Sequence, residues 1–216
     1  MPTVAIIGGT GPEGRGLALR FALAGYPVVI GSRDRGRAEA AASGLLEARP
    51  GLDISGAVNA DAAGKADWVL LALPFEGVEG TTAALAPALA GKLVVSVVAP
   101  LVLAAGQFKP IDVPQGSAAQ LVRGLLPDSR VASAFQNLSA RDLLAPDRVL
   151  EGDVAVCSDD EEARRQTMEL ARSVKDLRAI DAGPLSNSRY VESLTGLLLN
   201  LNRLHKAHTT VRIVGL

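Results

Sequence analysis

Through the first half of the chain, short runs of consecutive apolar residues alternate with stretches in which apolar residues recur every three or four positions. The runs fall at 3–8 (TVAIIG), 27–31 (PVVIG), 52–58 (LDISGAV), 66–73 (ADWVLLAL) and 91–98 (GKLVVSVV). Each has the length of a strand. Most are apolar throughout rather than alternating, which marks strands covered on both faces, as in a parallel sheet. Helical patterns lie between them. One ends at Gly25 (EGRGLALRFALAG), one follows Ser32, a residue able to cap it (RDRGRAEAAASGLLEA), and a weaker one, broken by glycines, covers 74–89. This order predicts an α/β fold, a Rossmann-type doubly wound parallel sheet.

After Pro100 the pattern loosens. Residues 101–116 carry glycine and proline breaks and read as loop. A helix is expected over 117–126, a sixth strand within 129–137, and irregular chain over 141–152. A strand (DVAVC), a helix capped by Ser158, a strand (LRAIDAG) and a long final helix over 184–207 complete the chain. The change of pattern sets a boundary near residue 150, with a first domain of residues 1–150 and a small C-terminal α/β domain of residues 151–216. Leu194, Leu197, Leu198, Leu201 and Leu204 form an apolar stripe on the final helix. It is expected to pack on the sheet and in part to close a dimer.

The first turn holds the most specific chemistry. Gly9, Gly11 and Gly14 form G-x-G-x-x-G between a strand and a helix. One glycine permits the tight turn, the next lets the backbone approach a pyrophosphate, and the third lets helix and strand pack closely. The helix N-terminus then offers free N–H groups and a partial positive charge to a phosphate. Sites for NAD usually carry an acid near the end of the second strand to hold the ribose. Here that place holds Ser32 and Arg33, with Arg35 and Arg37 following. A carboxylate would repel the 2′-phosphate of NADP. Arg33 can grip it with charge-assisted bonds, Ser32 can donate another, and Arg37, one helical turn on, can lie on the same side. The expected nucleotide is therefore NADP rather than NAD, and Arg35 is expected to be a solvated charge.

Composition excludes other classes. The net charge of −1 gives no basic field for nucleic acid. No apolar run is long enough to span a membrane, and the N-terminal run enters the glycine turn directly, unlike a signal peptide. The single cysteine, Cys157, suits a reducing cytoplasm and is expected to be a small buried hydrophobe.

The second half offers no convincing acid, base or metal set. None of the lysines (Lys65, Lys92, Lys109, Lys175, Lys206) occupies an inward position of the final helix. His205 and His208 lack a nearby carboxylate or cysteine in sequence and read as solvated or structural rather than as metal ligands. Tyr190 reads as a packing residue before an acid. Asp159, Asp160, Glu161 and Glu162 suit a helix N-terminus better than a metal. Hydride transfer between two redox cofactors would need no catalytic side chain, since each ring carries its own electronics.

The segments IIGGTGPEGRGLALRFALAG, VVIGSR and, most specifically, DAGPLSNSRYVESLTGLLLNLNR resemble the NADPH-dependent reductases of coenzyme F420, an 8-hydroxy-5-deazaflavin. The resemblance spans nearly the whole chain. It implies reversible hydride exchange between NADPH and F420 on a Rossmann domain with a small C-terminal domain, generally in a homodimer. It also implies that Thr10, Gly11, Pro12 and Glu13 line the NADP phosphates and that Ser32, Arg33 and Arg37 hold the 2′-phosphate. Pro74 would lie near the nucleotide. Val98, Ala99, Phe135 and Gln136 would border the place where the two rings meet. Two other readings stand beside this one: an NADP-dependent reductase of another small substrate such as an imine, and a non-catalytic NADP-sensing module.

Overall fold

The computed structural model describes all of residues 1–216. Six parallel strands form the central sheet in the order β3-β2-β1-β4-β5-β8. They are β1 (Val4–Ile7), β2 (Val28–Ser32), β3 (Ile54–Val58), β4 (Trp68–Leu71), β5 (Leu93–Ser96) and β8 (Arg130–Ser133). Two smaller strands, β6 (Leu101–Ala104) and β7 (Gln107–Pro110), pair as an antiparallel hairpin, and β9 (Gly152–Val156) pairs in parallel with β10 (Leu177–Asp181). The helices are α1 (Pro12–Leu23), α2 (Arg35–Ala48), α3 (Asn59–Lys65), α4 (Val78–Leu89), α5 (Ala118–Leu125), α6 (Ala140–Leu143), α7 (Glu161–Ser173) and α8 (Ser188–His205).

Alternation along each strand builds two cores. Val4, Ile6, Ile30, Leu70 and Val95 face one side of the sheet, where they meet Leu17 and Phe21 of α1 and Leu170 of α7. Ala5, Ile7, Val69, Leu71 and Val94 face the other, against Ala62 of α3, Leu85 of α4 and Val122 of α5. Both faces are covered, which is why the strands read as unbroken apolar runs. Val154 and Val156 of β9 belong to the same core as Val4 and Ile6.

The remainder of the chain departs from expectation in several places. Residues 101–110 form the β6–β7 hairpin where loop was expected. Its tip is Ala105–Gly106, both at positive φ, as a two-residue hairpin turn of this hand needs. The α3 and α6 helices are too short to stand out in a periodicity reading. The caps also shift by two residues. Asp34, not Ser32, accepts the α2 amide of Arg37 at 2.8 Å, and Asp160, not Ser158, accepts from Ala163 at 2.7 Å. Ser158 is instead buried, donating its hydroxyl to Val131 O and accepting from Asp160 N–H.

The α8 stripe splits rather than packing as one face. Leu198 is buried, while Leu197 and Leu204 are 54% and 74% exposed. The helix rests on β7 and α5 instead of the main sheet. Asn200 holds the hairpin by exchanging two hydrogen bonds with the backbone of Phe108. Glu192 ties α8 to α5 by accepting from the amides of Ala118 and Ala119.

Candidate active site

The first turn is shaped by its own backbone. A Cβ on Gly9 would stand 2.6 Å from Ile6 O, and one on Gly14 2.5 Å from Gly9 Cα, so both positions close the turn tightly. Gly11 differs: a Cβ there would meet nothing within 4 Å. No side chain caps α1, and Pro12 at its start has no N–H to satisfy. The amides of Glu13 and Gly14 therefore remain available at a positive helix end, beside open space.

That space is a cavity of about 670 Å³ at the C-terminal ends of β1, β2, β4 and β5. Thr10, Gly11, Pro12, Glu13 and Gly14 form one wall, and Ser32, Arg33 and Arg37 form its far end. Arg35 turns away to an exposed ion pair with Asp61 at 2.8 Å. Ser32 Oγ accepts from Asp34 N–H, which leaves its own proton free to donate. Pro74, Val98 and Ala99 lie on the opposite side, from the segments after β4 and β5.

A second cavity of about 380 Å³ adjoins the first and shares Glu13, Val97 and Ala99 with it. Its other walls come from Gln136, from Phe108 of the hairpin, and from Thr195, Leu198 and Asn202 of the α8 region. The Gln136 amide donates from Nε2 to Ser133 Oγ at 2.6 Å and to Ser96 O at 3.2 Å. Its Oε1 is buried and unpartnered, an acceptor held in place at the cavity wall. Thr195 Oγ1 donates to Gln136 O, so α8 is fastened to the end of β8.

Two expected residues sit behind these walls. Gly9 is sequestered within the turn. Phe135 is buried at φ 75 with its ring edge-on to Phe21 at 5.6 Å, and it lines neither cavity. Other lining residues carried no sequence signal, notably Asn59, Glu76 and Thr81 in the first cavity and Asn202 in the second. Asn59 is buried with Oδ1 unpartnered. A lone Asn in a short helix is indistinguishable from a solvated one until the sheet places it.

Burial raises three acidic groups strongly, of which only Glu13 lines the two cavities. It pushes the Glu13 carboxyl up to about 8, the Glu192 carboxyl up to about 7 and the Cys157 thiol up to about 11. Tyr190 is 68% exposed and packs into no core. His208 does have a carboxylate beside it, contrary to expectation: Nδ1 stands 2.9 Å from Asp142 Oδ1. No three His, Cys, Asp or Glu side chains gather closely enough to hold a metal ion.

Residues 3–100 match the family described as NADP oxidoreductase, coenzyme F420-dependent. The chain is 42% identical to the F420-dependent NADP reductase of Methanocaldococcus jannaschii, over 99% of this chain and 98% of that protein. This chain belongs to the F420-dependent NADP reductase family. A second relative of that name, from Methanothermobacter thermautotrophicus, is 39% identical over 99% of this chain and 95% of its own length. Among solved structures, one from Arthrobacter sp. FB24, assigned as an F420-dependent NADP reductase, superposes with a TM-score of 0.84 at 26% identity. That match covers 99% of this chain and 100% of the Arthrobacter chain.

Proposed function

We propose that the protein transfers a hydride, reversibly, between NADPH and coenzyme F420. One observation carries this reading: two cavities adjoin, sharing Glu13, Val97 and Ala99, and the first ends at Ser32, Arg33 and Arg37. An elongated nucleotide with a terminal phosphate fits the first cavity, and a flat polar ring fits the second. The names of the relatives favour this pair over an imine substrate or a sensing role.

In this reading the amides of Glu13 and Gly14, with the Thr10 hydroxyl, hold the pyrophosphate, and Gly11 makes room for it. Arg33, Arg37 and Ser32 hold the 2′-phosphate. Pro74, Val98 and Ala99 confine the nicotinamide. Gln136 presents a fixed acceptor to the deazaflavin, and Phe135 holds Gln136 in position from behind. NADPH would supply the hydride and be left as NADP⁺, the deazaflavin would accept it at C5, and water would supply the proton that completes the reduced ring. The protein's part is to bring the two rings together and orient them. We assign no side chain as an obligatory acid or base and no metal.

The division of labour follows the chain: residues 1–150 bind the dinucleotide, and residues 151–216 complete the second cavity through α8. We further propose a homodimer working in the cytoplasm. The exposed Leu197 and Leu204 of α8 and Val102 and Leu103 of β6 are apolar surface available for a second copy.

The test is to mix the purified protein with NADPH and F420 and follow the visible absorbance of the deazaflavin. Bleaching that requires the protein is expected. Turnover of imines instead, or nucleotide binding with no turnover of any acceptor, would replace this reading with one of its rivals.

A further inference from the structure

The wall between the two cavities contains one ionisable side chain, Glu13. Its Oε1 is shielded from solvent and has no hydrogen-bond partner, and it takes part in no ion pair. A carboxyl so placed has a use only when something enters beside it. In its neutral form it carries one O–H donor and one carbonyl acceptor, the complement of a primary carboxamide such as that of nicotinamide.

We propose that Glu13 responds to the charge of the nicotinamide, staying protonated beside the neutral ring of NADPH and releasing its proton to solvent when the ring is the cation of NADP⁺. This rests on the reading of the first cavity as the NADP site.

The balance of forces around Glu13 suits such a response. Burial favours the acid form and is the sole cause of its shift. The N-terminus of α1 favours the anion. Burial is the larger of the two, leaving a carboxyl raised to about 8. The charged groups around it are few. Arg33, Arg37 and Glu76 share the first cavity. Arg15 and Arg20 lie on its own helix, with Arg20 spent on backbone carbonyls of the α6 region. Arg141 and Asp142 lie on α6, with Asp142 engaged by Arg148 and His208. The second cavity holds no other ionisable side chain. A unit positive charge arriving within about 4–6 Å lowers a carboxyl pKa by about 1–3. The pyrophosphate is common to both nucleotides, so the ring's charge is what differs between them, and it moves Glu13 toward the ionised form when NADP⁺ is held. The carboxylate then favours the oxidised nucleotide, and one covalent O–H bond is lost to water for each nicotinamide cation held.

Calorimetric titration at pH 7 in two buffers of different ionisation enthalpy counts the protons. NADPH and NADP⁺ both carry the 2′-phosphate, so its ionisation cancels in the comparison. In the wild type, NADP⁺ binding should release more protons than NADPH binding, by up to about 0.9 per site. Glu13→Gln, which stays neutral, should bind both nucleotides and lose the difference. Infrared difference spectra need no variant: NADP⁺, but not NADPH, should bleach a protonated-carboxyl C=O band in the wild type. Equal proton release for the two nucleotides in the wild type, or a difference that persists in Glu13→Gln, would overturn the proposal. If neither nucleotide binds at all, the NADP reading itself falls, and this inference with it.

Discussion

If Arg33 grips the 2′-phosphate, as we propose, its loss should be felt by one nucleotide only. A hydrogen bond to a charged group is worth about 1.5–3 kcal/mol. Arg33→Ala should therefore lower kcat/KM for NADPH by about 10- to 100-fold and leave NADH almost unchanged; steady-state kinetics with both nucleotides checks this. The glycines separate folding from binding. Gly11→Ala adds a Cβ that meets no protein atom, so thermal stability should stay within about 0.5 kcal/mol while NADPH affinity drops. Gly14→Ala drives a Cβ to 2.5 Å from Gly9 Cα and should destabilise the fold by about 1–3 kcal/mol, seen in a denaturant melt. Titration has a definite sign. Burial raises Glu192 to about 7 and Glu13 to about 8 from a reference of 4.5. Their acid forms are favoured in the folded state, so their contribution to the stability of the nucleotide-free protein is complete below pH 4.5. It declines as pH rises and is lost above about 8. Glu13→Gln should remove the upper part of that decline in melting temperature. The glycine turn was legible in sequence because it requires glycines at fixed spacing, and Arg33 and Arg37 stood out because they follow the place of an expected acid; the structure puts both on the first cavity. The family resemblance placed Glu13 at the NADP phosphates, but nothing in the sequence marked its carboxyl as unpartnered between two cavities. Its place beside Val97 and Ala99, between the two cavities, joins residues far apart in the chain, which no local pattern records.

At the scale of elements, the six sheet strands and the long helices were legible because burial on two faces leaves unbroken apolar runs. The β6–β7 hairpin was not. Its strands are four residues each, half-exposed or exposed, and bracketed by the prolines and glycines that signal loop. Asn200 of α8 adds two hydrogen bonds to Phe108, a long-range tie that no local pattern records. The turn also carries strain, since Ala105 has φ 50. Asparagine adopts that conformation more readily, so Ala105→Asn should stabilise the protein by about 0.5–1 kcal/mol, measurable as a higher melting temperature. The cap shifts have a physical cause as well. Ser32 and Ser158 are drawn in as strand ends, and the aspartates two residues later meet the helix amides.

At the scale of the whole molecule, the first cavity is built at the C-terminal ends of the sheet strands, while the second needs the hairpin and α8 as well. The doubly wound architecture was readable because its order follows from alternating strands and helices. The meeting of cavities was not, since it joins residues as distant as Glu13 and Asn202. The exposed leucines of α8 lead to a dimer in our proposal, and Leu204→Glu should shift sedimentation toward the monomer. The central claim is direct transfer between two rings held in adjoining cavities, and NADPH carrying deuterium at the transferred position of C4 tests it. Incubated with F420 and the protein in ordinary water, the label should appear on C5 of the reduced deazaflavin, read by mass spectrometry and NMR. Reduced F420 that carries only solvent hydrogen at C5, or no reduction at all, would contradict the account.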